Sequence, residues 1–226
     1  MAVDIPAESR IDYVSAADEY CRAAASDALD VAWLESLCRP WMAAYRQQSG
    51  RPTNITEMWS NEFSYLVDLE GSDHCDGRGP QPPGVFPRTV VAFGRSKPPG
   101  RERKTDDLRL RRWMGPTRDV MGQARDKGHF IAFSLGGDVI AGEPNIFAQR
   151  RDLNRGWSEP GKVFRQMEAL AASIPGTMFF HRPIYLTESD VPDFLEVGLI
   201  TLEKGLWVEA FDNRVNATDL DTGSEP

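Results

Sequence analysis

Only three side chains in this chain titrate near neutral pH as histidines do: His74, His129 and His181. His129 closes the run Asp126-Lys127-Gly128-His129 at the end of a strongly basic stretch. An imidazole beside a phosphate can take a proton from water near neutral pH. Lys127 and its neighbours supply charge for an anion, and Gly128 permits close backbone approach. A lone histidine beside a strand is nevertheless more often structural. A second segment, Asn145-Ile-Phe-Ala-Gln149-Arg-Arg-Asp152-Leu-Asn154-Arg-Gly156-Trp157, is dense in amides between bulky apolar residues. An amide oxygen is an acceptable hard ligand for magnesium; the plainer alternative is a polar loop capping the helix that follows. Asp73, His74, Cys75 and Asp76 could in principle ligate a metal, but adjacent residues in a turn-rich stretch rarely converge on one ion. Cys21, Cys38 and Cys75 are odd in number and far apart, which is neither a disulfide framework nor a zinc pattern. They read as reduced thiols.

In this order the two segments resemble the DNA/RNA non-specific endonuclease family, part of the ββα-metal or His-Me finger nucleases. The matching pieces are Asp126-Lys127-Gly128-His129, the pair Gly136-Gly137, Asn145 with Gln149, Asp152-Leu153-Asn154, Gly156, Trp157 and a helical Glu168. Val191 to Ile200 looks like the family's closing strand, and the resemblance spans roughly residues 86–211. It departs from the family in two places. Lys127 stands where the family has arginine, which keeps the charge but loses the two-pronged fork. Asn154 and Glu168 are further apart than usual, with Ser158-Glu159-Pro160-Gly161 as the extra turn, so Glu159 competes with Glu168.

The resemblance implies an endonuclease that hydrolyses phosphodiester bonds of DNA and RNA without strong sequence preference. His129 is then the general base. Asn154 is the protein ligand of one Mg2+ or Mn2+ ion, and Glu168 holds water on that ion. Asn145 helps to fix the histidine loop at the substrate side, and Lys127 with an arginine such as Arg112 clamps phosphate. A catalytically silent nucleic-acid-binding protein of the same fold is the alternative. A nuclease with no secretory signal endangers its own cell, so a toxin or defence effector with a protein inhibitor or immunity partner is a further expectation.

Three regions must position these residues. Residues 1–80 hold fourteen acidic and six basic side chains, a local charge of −8, and read as helical. Ser15 to Arg39 carries apolar residues at helical spacing, and Pro40 marks a break or the start of the next helix. This region is a candidate regulatory or delivery module whose charge could cover the basic stretch. Residues 71–84 form a turn-rich linker. The nuclease-like domain, 85–211, begins with a strand at Arg88–Gly94 and continues through a basic island at 95–127, with eleven basic and five acidic residues. His129–Ser134 reads as a strand, Glu143–Trp157 as polar and irregular, and Pro160–Ser173 as a helix with one apolar face. Thr177–Leu186, Phe194–Leu202 and Leu206–Phe211 read as antiparallel strands, with a hairpin turn at Glu203-Lys204-Gly205. Residues 212–226 read as a disordered tail.

The fold class expected is therefore α+β: a ββα-metal core with an antiparallel sheet and an amino-terminal helical region. A net charge of −8 argues against a nucleic-acid partner for the chain as a whole, and the +6 island argues for a local one. No run approaches the ~18–20 apolar residues of a membrane span. The first ten residues lack a basic region followed by an apolar stretch, so the expected location is the cytoplasm, with any export by a non-classical route.

Overall fold

The computed structural model describes residues 3–24, 29–49, 52–70, 87–100, 124–138, 143–201 and 205–215. Strands β1 (Ile55–Ser60), β2 (Phe63–Asp68), β3 (Arg88–Arg95), β6 (Met178–Ile184), β7 (Phe194–Thr201) and β8 (Gly205–Asp212) form one antiparallel sheet in the order β1-β2-β3-β6-β7-β8. A second, two-stranded antiparallel sheet pairs β4 (Arg125–His129) with β5 (Ile146–Arg150). Helices α1 (Tyr13–Ala24), α2 (Val31–Ser36) and α3 (Cys38–Ser49) precede β1, and α4 (Arg151–Arg155) and α5 (Glu159–Ser173) follow β5. The architecture is α+β, with antiparallel strands throughout the described residues. No helix among them is long and apolar enough to cross a membrane.

The period-two alternation of the strands divides the core in two. Phe63, Tyr65, Val67, Ala92, Phe179, Leu195, Val197 and Leu199 face one side, where they pack with Phe130, Phe147, Leu153, Phe164 and Met167 from the β4–β5 hairpin, α4 and α5. Leu66, Val91, Phe93, Met178 and Phe180 face the other side and meet Trp33, Leu34, Leu37, Trp41 and Tyr45 from α2 and α3. The large sheet is thus covered on both faces, by α1–α3 on one and by the hairpin and α5 on the other.

This arrangement corrects the expected division of the chain. Among the described residues of the first 80, helix extends only as far as Ser49; Ile55–Asp68 then supply two strands of the main sheet, and β2 pairs with β3 across the proposed boundary. The period-two apolar run Phe63, Tyr65, Val67 is the signal that acidic composition obscured. The amino-terminal segment is also bonded into the core. Tyr13 donates its hydroxyl to Glu196, Trp41 Nε1 donates to Tyr13 Oη at 3.0 Å, and Arg182 joins Glu196 at 2.7 Å and the Ser9 carbonyl at 2.6 Å. Arg182 and Glu196 are both buried, so each needs the other to offset its desolvation.

The carboxy-terminal boundary shifts as well. Asn213, placed in a tail by its polar neighbours, is fully buried. Its amide donates to the carbonyls of Ala148 and Pro192 at 3.0 and 2.7 Å, and its Oδ1 accepts the Arg150 N–H at 2.8 Å. It fastens the hairpin to the end of the large sheet. Residues 216–226 lie outside the described residues.

Four expected strands and the helix appear with small shifts of their ends: β3, β6, β7, β8 and α5. Pro160 lies in the first turn of α5, and Ser158 caps it by accepting the Gly161 N–H at 3.2 Å. Two local readings do not hold. The strand near His129 ends at that residue rather than starting there, and Phe133–Leu135 is a 3-10 turn. The segment read as irregular, 143–157, contains both β5 and α4.

Candidate active site

The β4–β5 hairpin runs without a break into α4, since Arg150 ends the strand and Arg151 begins the helix. Asp126 pairs with Gln149, Gly128 with Phe147 and His129 with Ile146. Along β4 the exposure alternates: Arg125, Lys127 and His129 are half-buried, whereas Asp126 and Gly128 are buried. Lys127 and His129 therefore share the more open face of the strand.

Asp126 is the hub of the buried face. Its Oδ2 accepts Asn154 Nδ2 at 3.2 Å and Arg155 Nε at 2.7 Å, and its Oδ1 accepts Arg155 Nη2 at 3.0 Å. Arg151 Nε adds a longer contact at 3.3 Å. Burial alone would raise the Asp126 pKa; the hydrogen bonds from Arg155 and Asn154 and the two guanidinium charges outweigh it and hold the carboxyl below its ordinary value. The role of Asp126 was not apparent from its place in the motif. A signal existed: Arg151 and Arg155 are four apart on one helix and so share a face. Asn154, 25 positions from His129 in the chain, is thereby fastened to β4 on the Asp126 side, the face opposite the one that carries His129.

The segment after His129 is held by two buried side chains. Asn145 Oδ1 accepts the Ile131 N–H at 2.8 Å, and its Nδ2 donates to the carbonyls of Ile131 and Asp138 at 3.1 and 3.3 Å. Asn145 is 0% exposed, so it acts on the chain beside His129 and offers no surface to a substrate. This accords with the expected part of Asn145 in fixing the histidine loop and leaves no surface for direct contact with a substrate. His181, to which the sequence assigned no role, reaches across from β6. Its Nδ1 lies 2.9 Å from the Phe130 carbonyl, and Phe130, Phe147 and Phe164 present their rings to it. With the carbonyl as acceptor, Nδ1 carries the proton. Burial drives the His181 pKa down to about 4, against the weaker upward pull of the Phe130 carbonyl, so the ring is neutral at pH 7.

The glycines of the motif have packing roles. A Cβ on Gly128 would lie 2.4 Å from Gln149 Oε1 and 3.0 Å from the Phe147 ring, so the residue makes room for the buried partner strand. This gives Gly128 a packing role beside the close backbone approach expected from the sequence. Gly137 sits against the Ile131 carbonyl, where a Cβ would come within 1.9 Å, and Gly136 takes φ +87° at the end of the 3-10 turn. Gly161 allows α5 to approach α4, since its Cβ would meet the Asp152 carbonyl at 2.5 Å. The extra turn in the sequence is thus the first turn of α5.

The two competing carboxylates differ sharply in setting. Glu159 has a side chain 84% exposed and pairs with Lys162, whereas the Glu168 side chain is 8% exposed and receives Arg165 Nη1 at 2.5 Å. Arg112 and the cluster Asp73, His74, Cys75 and Asp76 lie outside the described residues. Among the described residues no group of three or more His, Cys, Asp and Glu side chains converges as a metal cage. On the helix that follows the hairpin, Asn154 turns its Nδ2 to Asp126, so its Oδ1 is the atom of this side chain that could ligate a cation. No protein-family model matches this chain, and no curated protein matches it significantly.

Proposed function

We propose that this protein is a metal-dependent endonuclease that cleaves DNA and RNA, with His129 as general base and Asn154 as the side-chain ligand of one Mg2+ or Mn2+ ion. The observation that carries this reading is the hairpin–helix unit itself. One buried carboxylate, Asp126, stands three residues before His129 on β4 and holds the Asn154 amide of the adjoining helix. Two sequence segments that are weak alone thus belong to one local structure.

The Asn154 oxygen suits a hard cation that keeps several waters and takes its anionic ligands from substrate phosphate. The chemistry a divalent cation supplies there is neutralisation of charge on the phosphate and leaving oxygen. His129 holds the proton that leaves the attacking water as the P–O ester bond breaks. Lys127, on the same face of β4, pairs with a phosphate oxygen, and Arg112 is a second candidate clamp. Glu168, rather than Glu159, orients water at the site, because Glu168 is buried whereas Glu159 is largely exposed. Contacts of this kind are to backbone, so DNA and RNA are both substrates. A toxin or defence role with an inhibitor protein remains part of the proposal.

The test is cleavage of supercoiled plasmid and of RNA with and without magnesium. His129→Ala should lower the rate by ~10²- to 10⁴-fold, with no recovery at higher magnesium. Asn154→Ala should shift the magnesium dependence upward, and Asn154→Asp should keep more activity than the alanine variant. Metal-independent cleavage, or full activity in both alanine variants, would reject this assignment.

A further inference from the structure

We propose that Trp157 is a stacking platform for a nucleobase, so that the protein acts on single-stranded or locally unpaired nucleic acid in preference to intact duplex. This rests on the nuclease reading above. The indole is 64% exposed, as is that of Trp59 at 65%, whereas Trp33 and Trp41 are fully buried in the core; of the two exposed indoles, Trp157 is the one that follows directly on the helix carrying Asn154. Its position is fixed by the end of α4: Gly156 turns the chain with φ +71°, and the Trp157 N–H donates to the Asp152 carbonyl at 2.9 Å. Arg155 places its guanidinium carbon 4.9 Å from the ring centroid. The same guanidinium grips Asp126, whose Oδ2 also holds Asn154. Exposed ring, guanidinium, carboxylate and candidate metal ligand therefore form one contiguous string.

The chemistry of that string fits a nucleotide. Arg151 and Arg155 share the single carboxylate of Asp126, which leaves a positive surplus beside the ring, the sign a phosphate backbone requires. The π face of an indole accepts any base, which accords with cleavage that ignores sequence. A base can lie on that face only after leaving its own stack, so an intact duplex pays for opening and a single strand does not.

Binding to the full chain in a His129→Ala background, which prevents cleavage, tests this with three probes of equal length: a labelled single-stranded DNA, its duplex and an abasic sugar-phosphate strand. The expected order of affinity is single strand above duplex, with the abasic strand weakest. Trp157→Ala should weaken single-strand binding by about 5- to 150-fold, the equivalent of ~1–3 kcal/mol for one stacked base, and leave the abasic strand unchanged. Trp157→Phe should retain most of the affinity, and tryptophan fluorescence quenching on binding should shrink in both variants. Equal loss on the single and abasic strands, or no loss on either, overturns the platform while the nuclease reading stands. If none of the three probes binds, the nuclease reading falls with it.

Discussion

Gly128 and His181 show how single residues around the candidate base are dictated by packing. Gly128 has no room for a methyl group because Gln149 closes over it. Gly128→Ala should cost about 1–3 kcal/mol and lower the melting temperature by roughly 2–4 °C per kcal/mol in a chain of this size. An unchanged melting temperature would mean that Gln149 can swing aside. His181 gives a pH signature. Its folded pKa, about 4, lies below its ordinary value of 6.5, so the unfolded chain takes up a proton first as pH falls. The contribution of this group to stability is therefore complete above pH 6.5 and is lost as pH falls toward 4. The loss amounts to about 3 kcal/mol. In His181→Gln the fall in stability across that window should be shallower than in the parent, as read by chemical denaturation at a series of pH values. Equal slopes would show that other groups dominate.

At the scale of elements, the hairpin is a small sheet that owes its position to side chains outside it. Two strands alone are marginal in water. Here Phe130 and Phe147 stack at 4.3 Å and pack on His181 of the large sheet, and Asn213 ties β5 to the end of β8. Asn213→Ala would leave the Arg150 N–H and the Ala148 carbonyl without this partner, at a cost of at least about 1–3 kcal/mol. Hydrogen exchange should accelerate in β4 and β5 while β6 and β7 keep their protection. Asn213→Asp should cost at least as much, because it still accepts from Arg150 but turns a buried acceptor oxygen on the Ala148 and Pro192 carbonyls. Uniform acceleration across all strands would place Asn213 in the global core instead of at a local fastening.

For the whole molecule, the decisive feature is a sheet with both faces covered. Helices α1–α3 occupy the face opposite the hairpin, so they do not lie over His129 and do not act as a cover for the candidate site. Removing residues 1–84 would strip β2 from β3 and expose Val91, Phe93, Met178 and Phe180 to water. A fragment starting at Val85 should therefore be insoluble or lack a cooperative melt, as solubility and circular dichroism would show. A soluble fragment with a sharp transition would mean that β3 can serve as an edge and that the amino-terminal half is dispensable for folding.

The sequence by itself determined the elements whose patterns are local. The apolar face of α5 and the apolar runs of β6–β8 are legible because hydrophobic periodicity reports burial directly. The ordered motif from Asp126 to Glu168 raised His129 and Asn154 as candidates through its resemblance to a nuclease family, since each segment by itself reads as structural. Tertiary structure alone decided what depends on partners distant in sequence. β5 was hidden because Asn145 and Gln149 are buried polar residues, and a polar side chain reads as exposed until its hydrogen-bond partner is known. Asn213 was misplaced for the same reason. The pairing of β2 with β3 joins residues on either side of a linker-like segment, and no local pattern encodes which strand will be a neighbour. Asp126, finally, acquires its role only when two arginines and an amide four-residue-spaced or adjacent on α4 are folded against it, because an ion pair is a property of geometry rather than of composition.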